Sequence, residues 1–293
     1  MADDVDLSGE LRTVLGRSVS ERLAGLVAFG RRLLSGNVNG DVRTRTAAAL
    51  CGLLEEGLGD AHERLEAGEI LGWLGDPRVR RPQDADYWAD VTTDDGPLKI
   101  GRFPVTNLEF REFVEGGGYQ NRRFWNDEGW SWLQACEDPW PVRCKADDAG
   151  PFIVPNQPVV GASWYEAEAF ATFHSSRLPR FDERRRVVRG DGPEKRHYPW
   201  GSPFGEGSAN TREEVLGRPC AVGLYLRDVT PDGVHDLAGN VAEWAGDGHG
   251  DERWYSPGAW SQPSMASWAK AREIEWTGHR AAWLGFRLAH DLS

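Results

Sequence analysis

Sulfur is scarce in this sequence: four cysteines and two methionines among 293 residues. Cys51, Cys136, Cys144 and Cys220 show no CxxC spacing, which excludes the zinc-ribbon and thioredoxin-type patterns. Cys136 and Cys144 stand near enough in sequence to pair, yet a reducing compartment would keep them as thiols. No run approaches 18 apolar residues, so no membrane span is expected. A charged start followed by an apolar core is also missing, as is an Asn-x-Ser/Thr sequon, and the reading is therefore cytoplasmic. Positive charge is in deficit as well. Thirty-four Lys and Arg stand against 46 Asp and Glu, a net charge of −12. That balance argues against nucleic acid or an anionic membrane as partner, because phosphate affinity needs a basic excess. The acidity itself reads as a solubility feature.

What the chain does have is apolar bulk and many turns. Forty per cent of residues are hydrophobic, with 14 Trp and 11 Phe to fill a core. Thirty-five Gly and 17 Pro suit a loop-rich fold better than a helical bundle. Residues 1–85 read as helical: Leu11, Val14, Leu15, Val19, Leu23, Leu26 and Val27 fall near helical spacing. A break follows at Ser35–Gly40, then helices over Ala47–Leu58 and Ala61–Leu74, with Asp60 as a cap and Gly75-Asp76-Pro77 as the stop. This region reads as a small adaptor or docking module. Residues 86–96 read as an acidic linker, and 97–293 as the main domain. Within it, Leu98–Phe103 alternates as a strand and Thr106 caps a helix through Val114. Tyr119, Phe124, Trp125, Trp130, Trp132 and Trp140 are read as core aromatics rather than as a ligand platform. Val159–Trp164 reads as a strand, and Ser163 with Glu166 forms a capping box for a helix through His174. The run Arg180–Arg186 reads as a solvated basic helix face.

The most informative stretch is Gly233–Trp244, GVHDLAGNVAEW. Asp236, Asn240 and Glu243 surround a glycine turn. Such oxygens suit a hard cation such as Ca²⁺, or they simply satisfy the turn. This stretch resembles the signature of the formylglycine-generating-enzyme-like (sulfatase-modifying-factor) family. Gly101–Val114, Asn156–Phe170, Arg177–Pro179, Tyr198–Gly201, Ala209–Thr211 and Leu284–Ala289 resemble further motifs in that family's order. The resemblance spans about Pro97 to Ala289. It implies an α+β, loop-rich, C-type-lectin-like domain preceded by a small helical region. Glu66–Arg78 resembles the helical lead-in found before this domain in bacterial proteins. The resemblance also implies one structural Ca²⁺, held by the side chains of Asp236 and Glu243 and the carbonyls of Gly239 and Val241. A second site would begin at Asn210 and Thr211, with Glu213 and Glu214 as candidate acidic partners.

The catalytic equipment of the family is not matched. Its copper site needs two late cysteines, because thiolate suits Cu(I), and no cysteine follows Cys220. The related iron-dependent sulfoxide synthases use three histidines. Here His62, His174, His197, His235, His249, His279 and His290 are scattered. No catalytic residue is assigned, neither copper nor iron is expected, and the sequence reads as non-enzymatic. The leading expectation is ligand or protein recognition through the C-terminal face, in the manner of a retroelement-diversified variable protein. Its contact residues would be Trp254, Tyr255, Ser261, Ser264, Trp268, Arg272, Trp276, His279 and Arg280. The alternatives are a divergent metal-dependent oxidoreductase and a regulatory subunit of a multiprotein bacterial system that docks through its N-terminal helices.

Overall fold

A computed structural model of the chain describes residues 6–36, 40–93, 96–136, 150–190 and 195–291. Four helices come first: α1 (Leu7–Leu15), α2 (Val19–Ser35), α3 (Gly40–Glu55) and α4 (Ala61–Leu74). The expected stop and start signals are present. Asp60 caps α4 by accepting from the amides of His62 and Glu63, both at 2.9 Å, while Glu63 reaches back to the Asp60 amide. Among the described residues no helix is long and apolar enough to cross a membrane.

The segment read as an acidic linker is instead strand β1 (Trp88–Thr93), paired antiparallel with β2 (Gly96–Gly101). Its acidic composition hid a period-two pattern. Ala89, Val91 and Thr93 are buried, while Asp90 and Thr92 face out. Asp94 and Asp95 lie outside the described residues, as do Trp140 and Cys144.

Four helices follow: α5 (Asn107–Glu115), α6 (Asp127–Ala135), α7 (Trp164–Phe173) and α8 (Phe181–Arg189). Thr106 with Glu109 caps α5 and Ser163 with Glu166 caps α7, each as a capping box. Val159–Ser163 runs buried but forms no ladder, only the Thr106–Pro158 bridge before it, and Trp164 already begins α7. The second half carries β3 (Ala242–His249), β4 (Glu252–Ser256), β5 (Glu273–Trp276), β6 (Leu284–Gly285) and β7 (Ala289–His290). One sheet has the order β1-β2-β7, the other β5-β4-β3-β6 with β3 and β6 parallel. This is the loop-rich α+β arrangement expected of a C-type-lectin-like domain behind a helical region. Its core gathers Phe110, Phe113, Phe170, Trp244 and Phe286, with Tyr119, Phe124 and Trp125 beside them.

The helical region is no detached adaptor. Leu216, Cys220, Leu224 and Tyr225 of the later domain belong to the same buried cluster as Leu26, Leu50 and Leu71. Helix α4 lies so close that a Cβ on Gly68 would stand 2.9 Å from Ala221, and one on Gly72 would stand 2.2 Å from Asn156 Oδ1. The Asn156 amide donates to Gly68 O (3.0 Å) and to Asp76 (2.8 Å), and Asp76 pairs with Arg78 at 2.7 Å.

Candidate functional site

The central motif folds as a buried, strained turn. Asp236 and Asn240 adopt positive φ, 55° and 67°, a region that non-glycine residues visit only when something holds them there. The holding groups are local. Asp228 accepts from the amides of Leu237 (3.1 Å) and Ala238 (3.0 Å), and Asn240 exchanges two hydrogen bonds with the backbone of Cys220. Gly239 is needed for close approach, since a Cβ there would fall 2.7 Å from Asn210 O.

Three of the four donors expected for calcium, Asp236, Gly239 and Glu243 but not the Val241 carbonyl, are already engaged. Glu243, fully buried, accepts from Arg287 Nη2 (2.6 Å) and Nε (2.8 Å) and from Arg184 Nε (2.7 Å). The same guanidiniums take the surrounding carbonyls. Arg287 donates to His235 O, Asp236 O and Gly101 O, and Arg184 donates to Leu237 O. Gly239 O accepts from Val241 N at 2.9 Å, and Asp236 Oδ2 accepts from Gly223 N at 2.8 Å. A divalent ion at Glu243 would displace these bonds and stand against two buried positive charges. The residues present do not fit calcium. Burial pushes the Glu243 carboxyl up, but Arg184 and Arg287 outweigh it and hold it below its ordinary value. Burial carries Asp236 up to about 6 and, with the Asp236 charge adding, Asp228 up to about 8.

The proposed second site is only partly committed, since the buried Asn210 Oδ1 and Thr211 Oγ1 have no hydrogen-bond partner among the described residues. Asn210 Nδ2 donates to Arg218 O at 3.0 Å, and Asn240 N donates to Asn210 O at 2.8 Å. Thr211 is buried beside it, and Glu213 accepts from Ser264 N through both oxygens. Glu214 accepts from Gly207 N and the Tyr225 hydroxyl. Arg184, read as part of a solvated face, is 5% exposed.

The C-terminal positions divide into three kinds. Trp268, Arg272 and Trp276 are exposed, with the Arg272 guanidinium 4.1 Å over the half-buried Trp254 ring and Lys270 near Trp268. Ser261, Ser264 and His279 are half-buried. Tyr255 is core, packed edge-on to Trp244 with its hydroxyl on Glu273. Arg280 turns inward. It meets buried Glu166 through Nε (3.0 Å) and Nη2 (2.7 Å), beneath the Tyr119 hydroxyl, and lies over Trp132.

Histidines and cysteines that could hold iron or copper do not converge among the described residues. Among the described residues no three His, Cys, Asp or Glu side chains are grouped to hold a metal. His174 and His235 are each pushed down to about 4 by burial. The Cys51 thiol is pushed up by burial to about 12 and that of Cys220 well above its ordinary value, so neither is a thiolate.

Residues 75–292 match the family described as a sulfatase-modifying factor enzyme 1-like domain. Hercynine oxygenase from Mycolicibacterium thermoresistibile is 31% identical over 229 residues, covering 64% of this chain and 50% of that protein. Formylglycine-generating enzyme from Thermomonospora curvata is 31% identical over 188 residues, covering 52% of this chain and 60% of its own. The chain spans about half the length of the curated relatives it matches. Among solved structures, Treponema denticola variable protein 1 superposes with a TM-score of 0.47 at 17% identity, over 69% of this chain and 94% of its own. These matches correct the expectation that the chain is not an enzyme. Three relatives near 31% identity bear the name of an oxygenase.

Proposed function

The chain belongs to the sulfatase-modifying factor enzyme 1-like family, and we propose that it takes up its ligand or protein partner through the C-terminal face between Trp254 and Trp283. One observation carries this reading. Of eight exposed large apolar side chains among the described residues, Met265, Trp268, Ile274 and Trp276 fall in one short segment. Clustered exposed aromatics with stacked Arg are the composition of binding hot spots. The segment rides on a β4–β5 hairpin anchored by Tyr255 and Arg280, so a rigid frame presents it. Substituting Arg272→Glu or Trp276→Ala should leave the melting temperature in place and remove partners captured from a lysate of the source organism. Retention of the same partners by both variants would place the face elsewhere. Diversification of this segment by a retroelement is a finer proposal, tested by looking for a reverse transcriptase gene and a template repeat beside the coding sequence. A cytoplasmic location belongs to the same reading, and cell fractionation checks it.

A second reading is enzymatic, favoured by the identity with hercynine oxygenase. In it, the C-terminal face receives the substrate of an oxygenase-type reaction. Iron is what that kinship implies, yet the histidines described here do not come together to hold it. Iron content after anaerobic loading, together with oxygen uptake in the presence of hercynine, tests this reading. Substoichiometric iron and no uptake would end it.

A further inference from the structure

The junction between the helical region and the loop that ends at Arg227 contains a cleft that neither reading uses. Its volume is about 320 Å³, at the small end of the range typical of ligand sites. Ala61, Leu224 and Leu226 supply an apolar wall, and Gly57 and Gly59 turn the chain beneath it at φ 78° and 88°. Neither turn would suit a residue with a Cβ.

The polar groups on the cleft are unevenly matched. Arg64 is half-buried and donates only to carbonyls: Nη1 to Leu54 O (3.1 Å) and Leu58 O (3.4 Å), and Nη2 to Leu224 O. Among the described residues no carboxylate pairs with it, and burial pushes its guanidinium down. Arg227 stands exposed at the rim, over the Trp200 ring. The one acid on the lining, Glu214, is tied into the wall by Gly207 N (2.9 Å) and the Tyr225 hydroxyl (3.2 Å). Two guanidiniums and one carboxylate on the lining leave one positive charge.

We propose that this cleft binds a small organic monoanion, a carboxylate on a compact apolar or aromatic body. The carboxylate answers Arg64 and Arg227, because a half-buried guanidinium that meets only carbonyls, beside an exposed one at the rim, gains a charge-assisted partner when an anion joins it. The body lies on Leu224 and Leu226. A phosphate dianion carries more charge than the lining leaves open and would meet the Glu214 carboxylate. Because the walls come from both halves of the chain, the bound anion holds them together and raises the melting temperature.

Calorimetric titration of the full chain with benzoate and hexanoate, with their amides, and with inorganic phosphate tests this. The acids should bind at least about tenfold more tightly than the amides, and phosphate should give no heat. Arg227→Ala should weaken the acids about tenfold, and Leu226→Trp, which fills the cleft from an exposed position, should abolish binding. Both variants should melt like the parent. Amides binding as well as the acids would make this an apolar hollow only. Equal competition by phosphate would make it a general anion site. Silence from every probe at millimolar concentration, or parent-like binding by both variants, would also overturn the proposal.

Discussion

At Glu243 the protein sets two guanidiniums where a divalent ion would need open oxygens. Removing one partner of such a buried pair typically costs about 3–5 kcal/mol, because the remaining charge is stranded. Arg184→Met should therefore destabilise the chain by about that amount. EDTA or added calcium should leave the melting curve of the parent unchanged, and a drop with chelator would show that an ion, not Arg184 and Arg287, balances Glu243. Arg280 and Arg272 make a second contrast at this scale. Arg280→Ala strands Glu166, which is fully buried, and should also cost about 3–5 kcal/mol. Exposed Arg272→Ala should stay within about 0.5 kcal/mol. Denaturant titration of the two variants decides it, and equal losses would refute the inward role of Arg280. The sequence held a signal for Arg184 that its basic neighbours masked. Phe181, Arg184, Val187 and Val188 are all buried, a helical stripe in which the arginine occupies a core position. Arg287 lay inside a quoted motif, but nothing in one sequence says that it reaches Glu243. That contact joins residues 44 positions apart.

Helix starts were legible because their chemistry is local. Asp60 with Glu63, Thr106 with Glu109 and Ser163 with Glu166 satisfy the orphan amides within one turn. Strand β1 was not, because outward Asp90 and the flanking acids dominate composition while its inward Ala89 and Val91 need a partner strand to be recognised. Burial of carboxyls in a cap and in the central turn also has a pH consequence. Burial pushes Glu109 up to about 7 and Asp228 up to about 8. Each binds its proton more tightly folded than unfolded, so the stability it lends is complete below about pH 4 and is lost as pH rises through 7 to 8. His174 and His235, pushed down to about 4, act oppositely: their contribution is present above about 6.5 and is lost as pH falls towards 4. The melting temperature should peak near pH 6 and fall by a few degrees towards pH 9, and Glu109→Gln should flatten the alkaline limb. A flat profile in the parent would contradict these burial effects. On α4, alanine ordinarily strengthens a helix. Gly72→Ala should nevertheless cost about 1–3 kcal/mol, because its methyl would meet Asn156.

At the scale of the whole molecule, the ordered motifs made the main domain readable, since each is a local phrase of the family. The docking of the helices was not readable. It rests on contacts such as Gly68 with Ala221 and Arg64 with Leu224, which join residues more than 150 positions apart. A boundary near residue 75 is where the family match begins, and it invites truncation there. The shared cluster argues against that division. Without residues 1–74, buried Leu216, Leu224 and Tyr225 would face water, each forfeiting about 1.5–3 kcal/mol of burial. Asn156 and Asp76 would also lose the Gly68 side of their junction. Losses of that size compare with the whole stability of a typical domain, about 5–15 kcal/mol. The intact chain should therefore melt in a single calorimetric transition, with its calorimetric and van't Hoff enthalpies equal. Residues 75–293 alone should aggregate or melt far lower. Two resolved transitions in the parent, or a truncated chain as stable as the whole, would mean that the helices only rest against the domain.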